Sequence, residues 1–130
     1  MKNAELTMRD ELTQRLRSFK HAASGIRCAL AGERNLQIHC LCSLLVLALA
    51  CALQLDSRDW LWLIVAIVLV WSSELFNTAI EALCDVISPC FHPGIKQAKD
   101  IAAGAVLICA VGATIIGATV FIPILCELLI

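Results

Sequence analysis

The chain has 130 residues, of which 60% are hydrophobic, and its mean hydropathy is +0.84. This length suits a single domain over residues 1–130, and the hydrophobic share exceeds the roughly 45–50% of soluble domains. An integral membrane protein is therefore expected. The formal net charge of −1 gives no reason to expect a nucleic-acid partner.

An amphipathic helix is predicted over about residues 8–31. Its apolar residues recur at spacings of three and four: Leu12, Leu16, Phe19, Ala23, Ile26 and Leu30. Its other faces carry Arg9, Arg15, Lys20 and Arg27. Such a helix lies in the membrane interface, where it meets anionic headgroups. The alternative is a soluble helix that packs on a partner domain.

Three membrane-spanning helices are predicted after it, over about residues 36–53, 60–86 and 98–125. His39, near the start of the first span, is expected at headgroup level. A polar turn from Gln54 to Asp59 precedes the second span, which Trp60 opens as an interface anchor. Ser88 to Gly94 is predicted to be a loop, and the next helix to start near Ile95. The last helix is rich in glycine and alanine, which predicts close packing against protein along one face.

Positive charges predict the orientation of these spans. Seven Lys and Arg residues precede the first span, one lies between the first and second, and two lie between the second and third. The positive-inside rule then places the N-terminus and the second loop in the cytoplasm. The acidic and basic residues of that side are expected at one cytoplasmic interface: Glu33, Glu81, Asp85, His92, Lys99 and Asp100.

The second span carries a polar stripe where lipid-facing side chains are expected. It consists of Glu74, Asn77, Glu81 and Asp85, which fall within a sector of roughly 80° on a helix. A carboxylate inside a membrane costs several kcal/mol, so such residues usually have a function. Structural ion pairs, a proton relay and an ion pathway are the alternatives to a catalytic stripe.

Phosphoryl transfer is a chemistry that this stripe could support. Mg²⁺ prefers carboxylate oxygens and usually takes one or two from protein, which favours Glu33 and Glu81 as metal ligands. Glu74 is the deepest acid, and a base just below the interface reaches a lipid hydroxyl. Lys99 could neutralise phosphate or snorkel to the interface, and His92 is either a ligand or a hydrogen-bonding loop residue.

The sequence of these segments resembles that of the prokaryotic diacylglycerol kinase family of small membrane lipid kinases. The resemblance runs from about Phe19 to Pro123 and rests on three stretches: Glu33-Arg34-Asn35 with Ile38-His39, Glu74-Leu75-Phe76-Asn77-Thr78-Ala79-Ile80-Glu81, and Phe91-His92-Pro93 followed by Ala98-Lys99-Asp100.

The resemblance implies a fold, a reaction and roles. The expected fold is an all-α homotrimer, each subunit with an interfacial helix and three spans, in the bacterial inner membrane. The expected reaction uses MgATP to phosphorylate a membrane lipid alcohol at sites shared between subunits. Site residues follow by motif: Glu74 as catalytic base and Asn77 as a second catalytic residue, Glu33 and Glu81 for the metal and nucleotide, and His92, Lys99, Asp100 and His21 for the nucleotide.

Two points stay open within the resemblance. Gln14 and His21 stand where enterobacterial members carry an arginine and a tyrosine, so Arg15 or Arg17 could substitute. The substrate is either diacylglycerol, giving phosphatidate, or undecaprenol, giving undecaprenyl phosphate.

An alternative function of another class is that of a channel or proton-relay subunit that catalyses no reaction.

Overall fold

The computed structural model describes residues 2–88 and 90–129, with side chains over 11–88 and 90–127. The described residues form four helices: α1 (Lys2–Gly32), α2 (Arg34–Ala52), α3 (Ser57–Ile87) and α4 (Pro93–Leu129). Of these, α2, α3 and α4 are long and apolar enough to cross a membrane. The predicted all-α membrane fold with three spans is confirmed.

The chain separates into two compact units, Met1–Glu33 and Arg34–Ile130. The first contains α1, one continuous helix where the sequence predicts one. Leu16 and Phe19 on its apolar face are 68% and 75% exposed. An uncovered apolar face of this kind is typical of a helix that lies in a membrane interface, and the interfacial position stays a prediction. The single-domain description of residues 1–130 is likewise untested.

In the second unit, α3 packs against both α2 and α4. A buried apolar cluster of Ala50, Leu63 and Val120 joins the three helices near the α2–α3 turn. Side chains packed around it are Val46, Leu55, Trp60 and Phe121. We call this cluster with its turn the apolar end of the unit.

A tight turn connects α2 to α3. Gln54 has a φ of 51°, the left-handed conformation that favours glycine. The Leu55 N–H donates to the Ala50 carbonyl and the Gln54 N–H to the Cys51 carbonyl, both at 3.2 Å. These two bonds form a Schellman motif, which satisfies carbonyls at the end of a helix.

Asp56 caps the start of α3. Its carboxylate accepts 2.9 Å hydrogen bonds from the backbone N–H groups of Arg58 and Asp59. Because this cap stabilises the first turn, α3 begins at Ser57, three residues before the predicted Trp60. Its 31 residues extend about 46 Å at ~1.5 Å per residue, well beyond a hydrocarbon core of about 30 Å. One end of α3 therefore reaches past the membrane interior.

The other connection is shorter than predicted. The helix α4 begins at Pro93, so the expected start near Ile95 and the loop end at Gly94 were wrong by two residues. His92 explains the difference: its Nδ1 accepts from the Gly94 N–H at 3.2 Å, and its carbonyl accepts from the Lys96 N–H at 3.0 Å. Proline suits the first helical position because it needs no backbone donor there.

Candidate functional site

The polar stripe of α3 becomes more exposed towards the α3–α4 connection. Glu74 and Asn77 are buried, at 2% and 7% exposure, whereas Glu81 is half-buried and Asp85 exposed. Glu74 lies seven residues from Glu81, about 10 Å along the helix axis. The stripe thus runs from a buried carboxylate to a solvated helix end. We call the whole region from Glu74 to Asp100 the polar end of the unit.

Glu74 has a partner on the neighbouring helix. Nε2 of His39, on α2, lies 3.2 Å from Oε1 of Glu74, within hydrogen-bonding distance. The Glu74 side chain is 3% exposed and that of His39 26%. The sequence placed His39 at headgroup level and gave it no partner. The sequence feature that could have predicted this contact is the single histidine on the helix that precedes the acidic stripe.

A second polar contact joins α2 and α3 one turn further along. The Trp71 indole N–H donates to Oγ of Ser43 at 3.1 Å, and the Ser43 hydroxyl donates to the His39 carbonyl at 2.7 Å. These bonds connect the backbone of His39 to α3 through a side chain other than Glu74. They fix the two helices together beside the Glu74 carboxylate.

Asn77 connects the buried and half-buried parts of the stripe. Its Nδ2 donates to Oε1 of Glu81 at 2.9 Å. Its Oδ1 is buried and has no hydrogen-bond partner. A buried carbonyl oxygen without a partner costs about 1–3 kcal/mol. Oδ1 therefore keeps its capacity to accept a hydrogen bond or to coordinate a cation.

Two ion pairs occupy the solvated end. Lys99 of α4 pairs with Asp85 of α3, and Lys96 pairs with Asp100 one turn away on α4. The sequence gave Asp85 no specific role, and the structure shows it holding Lys99. Exposed pairs of this kind contribute about 0–1 kcal/mol, so they orient charges more than they stabilise the fold.

The remaining predicted site residues are less closely connected. His92 caps α4 through Nδ1, so the hydrogen-bonding role that the sequence left open for it is present, and a nucleotide contact stays a prediction. Glu33 and His21 belong to the first compact unit, and their approach to Glu81 is also a prediction.

Apolar surface adjoins the polar stripe. An open cavity of about 530 Å³ lies among α2, α3 and α4, with His39 and Ser43 in its wall towards the polar end. The rest of its lining is mostly apolar and includes Val70, Ala113 and Phe121. A hydrocarbon chain could therefore lie close to the His39–Glu74 pair.

No cluster of three or more Asp, Glu, His or Cys residues is preassembled for a metal among the described side chains, 11–88 and 90–127. The oxygen donors of the polar end include the Glu81 carboxylate, which accepts from Nδ2 of Asn77, and the unpartnered Oδ1 of Asn77. This sparse set fits Mg²⁺, which completes its shell with water and substrate phosphates. It does not fit a structural zinc, which needs four protein ligands.

The fold and the stripe define a class: a multi-span membrane protein with a buried carboxylate near a charged, solvated helix end. The family model described as prokaryotic diacylglycerol kinase matches residues 20–121. The chain belongs to this family, as the resemblance predicted. It is a lipid kinase, and hence a transferase that acts in a membrane.

Curated relatives carry two substrate names. The chain is 41% identical to an undecaprenol kinase of Bacillus subtilis over 115 residues, covering 88% of this chain and 94% of the relative. It is 37% identical over 114 residues to a diacylglycerol kinase of Synechocystis, covering 87% and 65%. A diacylglycerol kinase of Escherichia coli K12 is 32% identical over 103 residues, covering 79% and 84%.

Proposed function

We propose that the chain transfers the γ-phosphate of ATP to the hydroxyl of a membrane lipid alcohol, with Glu74 as general base. The observation that carries this proposal is the burial of Glu74, at 2% exposure, in a helix long enough to cross a membrane. A soluble substrate has little access to such a carboxylate, whereas a lipid hydroxyl at the interface approaches it from the bilayer.

The proposed step balances as follows. Glu74 accepts the hydroxyl proton, the lipid oxygen bonds to the γ-phosphorus, and the bond from that phosphorus to the β-phosphate bridging oxygen breaks. ADP leaves with the electron pair of that bond. Phosphoryl transfer depends on positioning and charge neutralisation more than on covalent catalysis, so few protein groups suffice.

Mg²⁺ is assigned to Glu81 and Glu33. Support comes from the hard oxygen donors of the polar end and from the buried, unpartnered Oδ1 of Asn77, which keeps its capacity to coordinate a cation. When bound, the ion neutralises phosphate charge. Asn77 holds the Glu81 carboxylate through its Nδ2.

Nucleotide binding is assigned to the solvated charges. Lys99 supplies positive charge for the phosphates, and Asp85 keeps it on the α3 side of α4. Asp100, His92 and His21 complete the proposed contacts. Because Lys96 already pairs with Asp100, nucleotide binding at Asp100 has to compete with that pair.

Undecaprenol is the lipid that we favour, with diacylglycerol as the alternative. Two observations support it. The first is the pair of sequence motifs Glu33-Arg34-Asn35 and Ser88-Pro89-Cys90-Phe91-His92-Pro93. The second is the 41% identity to the Bacillus subtilis relative over nearly the whole length of that relative. The deciding experiment gives purified protein both lipids in the same mixed micelles with MgATP. Undecaprenol should show the higher kcat/KM, and a higher value for diacylglycerol would reverse the assignment.

The proposed setting is the bacterial inner membrane, with the N-terminus, the α3–α4 connection and the active site cytoplasmic. The excess of Lys and Arg before α2 supports this orientation. In this setting α1 lies along the cytoplasmic surface.

A homotrimer with shared sites is the proposed assembly. Its support within the chain is open space beside α4: a Cβ added at Gly104 or Gly112 would meet nothing within 4 Å. Small residues with open space beside them suit close contact between copies. Native mass spectrometry should give three chains per particle, and an active monomer would contradict the assembly.

A further inference from the structure

Glu74 stands apart from the other acids in its surroundings. Among side chains 11–88 and 90–127, it is the one charged residue that is buried. A buried carboxylate needs a charged or hydrogen-bonding partner, because it has lost its hydrogen bonds to water. The group that provides this partner also fixes the direction in which the carboxylate points.

The scarcity of charged residues in the membrane-spanning segments favours His39 as that group. Between Arg34 and Asp56, between Asp59 and Glu74, and between Asp100 and Glu127, the chain has no Asp, Glu, Lys or Arg. His39 is the single histidine in these three stretches. Its Nε2 lies 3.2 Å from Oε1 of Glu74.

Two hydrogen bonds of Ser43 hold the backbone of His39 in place. Ser43 donates to its carbonyl and accepts from the Trp71 indole, so a turn of α2 is held against α3. This support fixes the backbone from which the imidazole reaches Glu74. It acts independently of the protonation of either member of the pair.

We propose that His39 is a positioning residue for the kinase reaction. Its Nε2–H donates to Oε1 of Glu74, holds that carboxylate in one orientation, and leaves Oε2 to accept the proton of the lipid hydroxyl. This inference rests on the proposed role of Glu74 as base. It assigns His39 a place in the reaction that its family motif and its membrane depth do not give it.

A matched pair of variants tests the donor. His39→Gln places an amide N–H about where Nε2 lies, whereas the amide of His39→Asn is too short to reach. Loss of a hydrogen bond to a charged group should lower kcat roughly 10- to 100-fold in His39→Asn. The KM for ATP should stay within about twofold, because the lost contact serves the chemical step. His39→Gln should keep kcat within about threefold of the original protein.

Two results would overturn the proposal. One is a His39→Asn protein with unchanged kcat. The other is a His39→Gln protein as impaired as His39→Asn, since an amide donor should replace the imidazole. If lipid phosphorylation is absent from the original protein as well, the proposed function fails, and this outcome is distinct from either result.

If His39→Asn does not fold, the proposal can still be tested on the protein in which His39 is unchanged. In ¹⁵N-histidine NMR of the assembled protein in micelles, Nε2 of His39 should carry a proton, and its signal should shift in Glu74→Gln. The signals of His21 and His92 serve as internal references. An Nε2 without a proton, or a His39 signal indifferent to Glu74→Gln, contradicts the proposal.

Discussion

The two ends of the α2–α3–α4 unit are built on different principles. At the apolar end, Ala50, Leu63 and Val120 bury hydrocarbon beside a turn whose backbone groups are satisfied. At the polar end, Glu74 and Asn77 are buried although their burial costs free energy, and Asn77 Oδ1 has no partner. We expect stability to be concentrated where packing is apolar, and we propose that the chemistry takes place where buried polar groups are held away from water.

The strongest test of this contrast pairs one buried residue from each end. Glu74→Gln removes the proposed base and should lower kcat for lipid phosphorylation by about 10²- to 10⁴-fold, with little change in unfolding midpoint. Leu63→Ala should reduce the free energy of unfolding by about 2–5 kcal/mol while kcat of the folded protein stays near the original. Both are measured in one detergent. Equal kcat values for Glu74→Gln and the original protein would remove Glu74 as base.

The metal assignment predicts the next largest effect. Glu81→Ala and Glu33→Ala should each raise the Mg²⁺ concentration for half-maximal activity by roughly tenfold or more, as loss of groups around a metal site does. Glu127→Ala is the control, since Glu127 is an exposed acid near the other end of α4. Unchanged Mg²⁺ titrations for both Glu81→Ala and Glu33→Ala would show that the metal is held elsewhere.

A smaller effect is expected at the solvated ion pairs. Lys99→Met should raise the KM for ATP several-fold because it removes a charge proposed to face phosphate. It should change the free energy of unfolding by less than about 1 kcal/mol, since its pair with Asp85 is exposed. Arg58→Met is the control, since Arg58 is an exposed cation at the start of α3, far along that helix from Asp85. If Arg58→Met and Lys99→Met raise KM equally, a general charge effect replaces the specific contact.

The smallest predicted effect lies at the apolar end. Gln54 adopts a φ of 51°, so Gln54→Gly should raise the free energy of unfolding by about 0.5–1 kcal/mol without altering kcat. Gln54→Ala keeps a Cβ in the same conformation and should bring no such gain. Chemical denaturation in detergent measures both. A destabilised Gln54→Gly protein would show that its side chain has a role beyond the turn.

The fold was largely predictable, because a helix that crosses a bilayer needs a long run of apolar residues and such runs are visible in the sequence. Three apolar runs predicted α2, α3 and α4, and periodicity predicted α1. The first residue of each helix was harder to predict from the sequence. These first residues depend on local caps, Asp56 for α3 and His92 before Pro93 for α4, whose geometry is not evident from composition.

The polar stripe was predictable as a set of residues that share one face of a helix, but its contacts were less so, and its role as a site stays a prediction. The stripe of Glu74, Asn77 and Glu81 followed from helical spacing, because all three lie on one element. The partners of that stripe depend on how neighbouring helices pack, so His39 beside Glu74 was missed. The pairing of Lys99 with Asp85 was missed for the same reason.

The central claim is that the polar end passes phosphate from a soluble donor to a membrane-bound acceptor. The most direct measurement follows [γ-³²P]ATP with the purified protein in micelles, with and without a lipid alcohol, and tests proton flux in liposomes alongside. The account predicts that ATP consumption requires the lipid and that label accumulates in it mole for mole with ADP. Proton flux with no labelled lipid from either undecaprenol or diacylglycerol would contradict it.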